Sequence, residues 1–422
     1  MSDYISRTME KTVDKMKKSF PVIMITGPRQ VGKTTLLSMM VEKDKNEKIN
    51  FISLDDLNAR MLAIEDPELF LRTYEMPLII DEFQYAPNLL SYIKIIVDKK
   101  RLENLKNNRV KCNGLFYLTG SQAFETMENV TESLAGRIAV LDMNGLTNRE
   151  LDNIEDEVFV PDLEILKNKK STEVLSTIQV FDKIIKGSYP EIYKNEELDR
   201  SEYFETYIRT YIERDIRQLI NVQDEIKFLK FISNVAVRTG QELNLSDICN
   251  GIGITSVTAE KWLSILKNTG IVYLLQPYSN NNVARIVKKP KVYFMDTGLA
   301  CYLAGYMDSK TLEKSAYNGA IFETYVISEI IKSYINNGLD AKKYLYYYRD
   351  NNGKEIDLLI IKNNVVYPIE IKKSANPGKE AIKNFSVVKK FGLEVGNGGV
   401  ICMKSEIFPI DRENNYIPIE LI

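Results

Sequence analysis

A chain of 422 residues is long enough for two or three domains. Apolar residues make up 44% and charged ones 27%, a globular balance, and the net charge of -2 supplies no overall pull toward nucleic acid, so any basic surface has to be local. The count of His is 0, which excludes every Ser-His-Asp triad, His general base and His metal ligand; chemistry must rest on carboxylates, Lys, Arg, hydroxyls and bound metal. Cys112, Cys249, Cys301 and Cys402 lack zinc-like spacing and read as free thiols in a reducing compartment. No run of about twenty apolar residues and no apolar signal core is present, so no membrane contact and a cytoplasmic location are expected.

Ile5, Met9, Val13 and Met16 recur at helical spacing and predict a short opening helix. VIMIT is a buried-strand pattern that runs into GPRQVGKT, with a helix from Lys33 onward. INFISL, PLIID and LFYLTG predict further short strands separated by helices, the alternation of a parallel sheet covered on both faces. This first unit is expected to span 1–151. Residues 152–220 read as helical and rich in charge and Tyr, and 221–310 as one unit, with packed helices and a sharp turn over about 222–275 and then a hairpin or wing from Pro277 to Lys291. Within 311–422, GAIFETYVISEIIKSYI predicts a long helix, and strand patterns run from Tyr344 to Lys373.

GPRQVGKT fits Gly, four residues, Gly-Lys-Ser/Thr. Gly27, Pro28, Arg29, Gln30, Val31, Gly32, Lys33, Thr34 and the next residue, Thr35, are the expected nucleotide-binding set. Backbone amides turn inward around phosphate oxygens, and the helix aims its positive end at them. Lys33 is expected to reach the β and γ phosphates of ATP, and the Thr34 hydroxyl to take a place on Mg²⁺. The strand of PLIIDEFQ brings Asp81 to its C-terminal edge, where it can hold Mg²⁺ through water, and Glu82 is placed to polarise the attacking water as general base. LFYLTGSQ ends in polar residues, and either Thr119 or Ser121 is a candidate sensor of the γ-phosphate. Arg137, in SLAGR, is either an arginine finger for a neighbouring subunit's nucleotide in a homo-oligomer or one half of a surface salt bridge.

The loop GPRQVGKTTLL, the strand IIDEFQ and the phrases LTGSQ, SLAGR, KGSYPE, YIERDIRQL and MDTGLACYL appear in order. The series resembles the bacterial and archaeal AAA-type ATPases that carry a C-terminal domain of unknown function. The resemblance implies an α/β fold class: a P-loop AAA-type parallel sheet, a helical lid, a winged-helix-like middle and a restriction-endonuclease-like α/β end. It also implies that a Gly-x-Pro turn of the lid, here Gly187-Ser188-Tyr189-Pro190, approaches the nucleotide, and that Arg214 acts as a lid sensor.

LNLSDICNGIGITSVTAEKWLSILKNTGIVYLL reads as helix, turn, helix, strand, with Trp262, Ile265 and Leu266 on one face and Lys261, Ser264 and Lys267 on another. This resembles a winged helix-turn-helix, whose second helix can enter a DNA groove. Arg285, Lys288, Lys289 and Lys291 form a basic wing suited to phosphate backbones; the alternative is that the module packs against other domains.

In GKEIDLLIIKNNVVYPIEIKKS, Asn363-Asn364 predicts a two-residue hairpin. That register opposes Asp357 to Glu370 and Glu355 to Lys372, and alternation puts these four on one face, with Ile356, Leu358, Ile360, Tyr367, Ile369 and Ile371 on the other. The spacing resembles the active-site hairpin of restriction-endonuclease-like nucleases, in which Asp357 and Glu370 would hold a metal, Lys372 would activate water and Glu323 would be the additional helical acid. The alternatives are a Lys372–Glu355 pair and a scaffold that does not cut. The leading expectation is an ATP hydrolase whose nucleotide state repositions the DNA-binding and nuclease-like parts. The others are a non-hydrolytic switch that binds a protein partner and an ATP-gated nuclease.

Overall fold

A computed structural model of the chain describes residues 4–43, 49–107, 110–120, 134–169, 173–211, 224–279 and 289–422. The chain opens with α1 (Met9–Met16), whose Met9 and Val13 are buried as their spacing predicts. The first sheet comprises β1 (Val22–Thr26), β2 (Asn50–Ser53), β3 (Leu78–Asp81), β4 (Phe116–Thr119) and β5 (Ile138–Asp142). All neighbours are parallel, in the order β2-β3-β4-β1-β5. The last strand, IAVLD, is not anticipated from sequence; it lies at the sheet edge with only Ala139 and Leu141 buried, so its apolar signal is weak.

Helices α2 (Lys33–Lys43), α3 (Leu57–Glu65), α4 (Pro67–Thr73) and α5 (Leu89–Lys106) complete this layer. Period-two alternation divides the strand side chains between two cores. Val22, Met24, Leu78, Ile80, Phe116 and Leu118 pack with α3, α4 and α5, whereas Ile23, Ile25, Ile79, Tyr117 and Leu141 join a second core that runs on to Ile422.

Beyond the sheet come α6 (Asn148–Leu151), α7 (Leu163–Asn168), α8 (Thr177–Lys186), α9 (Pro190–Lys194) and α10 (Arg200–Tyr211). Residues 153–162 carry no helix. The middle is α11 (Glu225–Val237), β6 (Gln241–Glu242), α12 (Leu245–Ile252), α13 (Ser256–Asn268), β7 (Val272–Leu275) and β8 (Lys291–Phe294), the strands forming an antiparallel sheet ordered β6-β8-β7. Gly253 in the left-handed region ends α12, and the Thr255 hydroxyl accepts from Thr258 N to start α13. This is the helix-turn-helix-strand order expected. Trp262, Ile265 and Leu266 are buried, and Lys261, Ser264 and Lys267 are exposed.

Next come α14 (Thr297–Leu303), α15 (Ser309–Lys314) and α16 (Asn318–Asn336). A mixed sheet closes the chain with β9 (Leu345–Arg349), β10 (Glu355–Lys362), β11 (Val365–Ile371), β12 (Glu394–Val395), β13 (Gly398–Cys402), β14 (Phe408–Pro409) and β15 (Asn414–Pro418). Its order is β14-β15-β13-β11-β10-β9, with β12 beside β11. Asn363 and Asn364 have φ of 52° and 65°, and the ladder from Leu358↔Ile369 to Lys362↔Val365 is the predicted hairpin register.

Two sequence expectations need correcting here. A bulge on the β9 side between Ile356 and Leu359 breaks the alternation, so Ile356 packs with Leu359 and Val366 rather than with Leu358 and Ile369. The base of the expected wing is also not free: Pro277 bridges to Tyr347, and Tyr278 N donates to Tyr347 O at 2.7 Å. Among the described residues no helix is long and apolar enough to cross a membrane.

Candidate functional site

The parallel register sets the C-terminal edge of the first sheet. Ser53 lies level with Asp81, Ile80 with Leu118, and Ile25 with Thr119, so the ends of β1, β3 and β4 meet. Gly27 leaves β1 with φ +136°, and a Cβ there would lie 2.0 Å from Met143 O, so no other residue passes. Gln30 (φ 62°) and Gly32 (φ 93°) curl the loop into α2.

Lys33 Nζ donates to the carbonyls of Gly27 at 2.9 Å and Pro28 at 2.7 Å. Thr34 Oγ1 donates to Asp81 Oδ1 at 2.8 Å, Thr119 Oγ1 donates to the same oxygen, and Ser53 Oγ donates to Oδ2 at 3.4 Å. The Thr34 hydroxyl and the Asp81 carboxylate are hard oxygen donors facing one another, a pair that fits Mg²⁺. Glu82 sits in the left-handed region (φ 52°), its backbone N donates to Thr119 Oγ1 at 3.3 Å, and its carboxylate accepts from Gln84 Nε2. The other amide atom, Gln84 Oε1, is buried with no partner, and Gly120 leaves it just enough room. Gln84 as the holder of Glu82 is not anticipated from sequence, although IIDEFQ contains it.

Lys33, Thr34 and Glu82 border a cavity of about 860 Å³. Arg29 through Thr35 and Glu82 form one wall. Pro190 and Glu191 of KGSYPE, with Tyr203, Thr206 and Thr210 on one face of α10, form the opposite wall, so the Gly187–Pro190 turn does reach the cavity. Tyr4, Ile5 and Arg7 close a third side.

Arg7 is a further residue the sequence does not single out. Its guanidinium donates to Val31 O at 2.9 Å, Asn144 O at 2.7 Å and Gly145 O at 3.3 Å, and pairs with Glu150 at 3.1 Å. Glu150 is held in turn by a capping box with Thr147. That Thr-x-x-Glu spacing is legible; its distant partner is not.

Ser121, Arg214, Arg285 and Lys288 lie outside the described residues. Arg137 immediately precedes β5, at the end of the sheet opposite the phosphate loop. It makes a two-pronged pair with Asp98 at 2.7 and 3.1 Å, which holds the Asp98 carboxyl below its usual range and raises Arg137. Its place therefore matches the salt-bridge alternative, and its donors are taken.

In the C-terminal part, Glu323, Asp357, Glu370 and Lys372 come together. Lys372 Nζ lies 2.8 Å from Glu370 and 3.7 Å from Asp357, and Asp357 Oδ2 also accepts from Ile371 N at 2.9 Å. Glu355 does not pair with Lys372. Lys291 reaches in from β8 and bridges Glu355 at 2.5 Å and Glu323 at 3.2 Å, while Tyr293 Oη donates to Glu323 at 2.6 Å. Lys291 and Tyr293 are two residues apart, so one face of β8 presents both.

This corrects the expected basic wing. Lys291 is 3% exposed and spent on two glutamates, and only Lys289 of the described wing residues is open to solvent. Burial, then Asp357, pushes Glu370 up to about 8 against the pull of Lys372. Burial, then Asp357, pushes Glu323 up to about 7 against Lys291. Burial lowers Lys372, but Asp357 and Glu370 together outweigh it and raise it. Each acid already has an ammonium. Among the described residues no group of three or more acidic or sulfur side chains is arranged to hold a metal. Asp357 and Glu370, the expected metal pair, both lie against Lys372 Nζ.

A five-stranded parallel sheet with a glycine loop after β1, Asp-Glu at the end of β3 and a polar end to β4 is the P-loop AAA fold. Family models agree: an AAA domain matches residues 19–152, Domain of unknown function (DUF8612) matches 178–310, and Domain of unknown function (DUF4143) matches 318–422. The first part of the chain is thus similar to AAA domains and its last part to DUF4143 domains.

Uncharacterized proteins of Mycobacterium tuberculosis and Mycobacterium bovis are each 28% identical over 406 residues, covering 95% of this chain and 81% of theirs. Among solved structures, a Walker-type ATPase of Pyrococcus abyssi is 13% identical, covering 71% of this chain and 96% of its own, with a TM-score of 0.39. The Aeropyrum pernix ORC2 protein in ADPNP–ADP complexes is 14% identical, with coverages of 70% and 89% and a TM-score of 0.33.

Proposed function

We propose that the protein binds ATP with Mg²⁺ at the phosphate loop and hydrolyses it, and that nucleotide state is passed to a DNA-contacting winged helix. The observation that carries the first part is the hydrogen-bonded set of Thr34, Asp81, Thr119 and Glu82 beside a cavity that Lys33, Thr34 and Glu82 line. Lys33 exchanges its loop carbonyls for the β and γ phosphates. Thr34 and Asp81 are the residues that would hold Mg²⁺, which when bound neutralises charge on the transferring phosphoryl group. Thr119 orients Asp81 and senses the γ-phosphate from β4. Glu82, kept in place by Gln84, accepts the proton of the attacking water.

Steady-state phosphate release tests this reading. Lys33→Ala should weaken ATP binding, and Glu82→Gln should bind ATP yet turn over at least about a hundredfold more slowly, at the lower end of general-base effects. A Glu82→Gln protein with wild-type turnover would remove Glu82 as base. Wild type that binds ATP without releasing phosphate would leave the switch reading.

The DNA part is supported by the solvent-facing side of α13, where Lys261, Ser264 and Lys267 stand opposite the buried Trp262. Lys261→Ala with Lys267→Ala should weaken DNA binding and lower its salt slope by about one per lysine. Wild type that binds no DNA at low salt would make the module a packing or protein-binding element. The working parts remain 1–151, 152–220, 221–310 and 311–422, built on a shared core.

A further inference from the structure

The loop after β5 borders the nucleotide cavity at Leu146, and helix α16 of the C-terminal domain grips that loop. Lys332 Nζ donates to Leu146 O at 3.2 Å and to Glu329 Oε1 at 2.9 Å. Glu329 Oε2 accepts from Asn148 N at 2.8 Å and Asn148 Nδ2 at 3.0 Å. Lys332 is 2% exposed and Glu329 6%, so these bonds act where water does not compete. On its other side the same loop accepts from Arg7, which also donates to Val31 inside the phosphate loop. Arg7 and the loop thus link α16 to the phosphate loop.

The same helix has a second charged contact. Glu323, six residues before Glu329 and so about 9 Å along the axis, meets Lys291 and Tyr293 of the winged-helix sheet. Between these contacts α16 is buried on nearly every side. A packed helix with an ion pair at each contact has little freedom to move one without the other.

We propose that α16 is a strut coupling the nucleotide cavity to the interface of the winged helix and the C-terminal domain, with Glu329 and Lys332 as positioning residues for the phosphate loop. The coupling rests on the ATPase reading above. It is reciprocal by linkage: nucleotide that tightens the 144–148 loop also biases Glu323 and β8, and a change at β8 alters nucleotide affinity.

The test uses the full chain and AMP-PNP with Mg²⁺. Lys332→Met alone would strand the buried Glu329 charge, so the double variant Glu329→Gln, Lys332→Met is the one to make. Gln keeps an acceptor for Asn148, and Met keeps the length of the stem. Its Kd for AMP-PNP should rise about fivefold or more while cooperative melting is retained. A merely structural pair would shift the melting temperature and leave Kd unchanged, and that result overturns the proposal.

If the double variant fails to fold, hydrogen exchange on wild type decides. Slower exchange across α16 and β8 on AMP-PNP binding supports the strut, and unchanged exchange there overturns it. Wild type that binds no AMP-PNP sinks the ATPase reading and the coupling together. Wild type that binds with a Kd equal to that of the folded double variant sinks the coupling alone.

Discussion

Glu82 shows how a single residue is aimed by backbone and neighbours together. Its positive φ turns the side chain away from the strand path of β3, and Gln84 fixes where the carboxylate rests. Gln84→Leu keeps the volume and removes the donor. It should lower kcat for ATP about tenfold to a hundredfold, the usual cost of losing a supporting hydrogen bond, with KM little changed. Phosphate-release kinetics that show an unaltered kcat would assign the aiming of Glu82 to its backbone alone. Arg137 belongs to the same scale. Because Asp98 already takes its donors at the opposite end of the sheet, Arg137→Ala should leave turnover within about twofold and cost about 0–1 kcal/mol, as exposed pairs do. A much larger loss of turnover, growing with protein concentration, would restore the arginine-finger role.

At the scale of elements, the β10–β11 hairpin is a local construction. Two adjacent Asn residues at φ 52° and 65° form the turn, and the alternation on either side of it sets the register. Asn364→Val places a β-branched residue in the left-handed region and should cost about 1–2 kcal/mol. Asn364→Gly should be neutral or stabilising by a few tenths of a kcal/mol. Thermal melting of the two variants ranks them, and equal melting points would mean that the turn does not hold the hairpin. By contrast, the wing of the middle segment is not an independent element. Its β8 strand gives Lys291 and Tyr293 to the acids of the neighbouring domain, and its base pairs with Tyr347.

Over the whole molecule, buried charges outside the nucleotide site set the response to pH. Burial, then the charge of Glu150, raises the Asp156 carboxyl to about 7, with Lys169 pulling it down. Burial, then Arg149, lowers the Lys169 ammonium to about 8, with Asp156 opposing. The folded state therefore holds a proton on Asp156 that the unfolded chain has already released. Stability from this group is present in the ordinary carboxylate range and is lost as pH rises toward 7. For Lys169 the folded state releases its proton first, so stability rises as pH climbs from about 8 toward the ordinary lysine value. Asp156→Asn should flatten the fall in melting temperature as pH rises toward 7, without abolishing the alkaline rise. An unchanged profile would remove Asp156 as its cause. The C-terminal acids give a metal test. In a Lys33→Ala protein without nucleotide, calorimetric titration with Mn²⁺ should show no binding that depends on Asp357 and Glu370, because Lys372 already bridges the two. Binding that Asp357→Asn removes would reinstate the nuclease-like reading.

Local rules determine the elements that sequence resolves. The phosphate loop, the Asp-Glu strand end, the α12–α13 turn and the Asn-Asn hairpin each depend on residues within about a dozen positions of one another, where spacing and turn chemistry are legible. The strand order, the Arg7 buttress and the Lys291 contacts do not. Arg7 and Glu150 are 143 positions apart, and Lys291 and Glu323 are 32 apart on different elements. Such pairs form because two buried charges find each other only after packing has excluded water, a condition no sequence window records. The same reason decides the C-terminal acids. Sequence places Asp357, Glu370 and Lys372 together, but the cation that Glu323 and Glu355 meet comes from a strand of another domain, and only the tertiary structure brings Lys291 there.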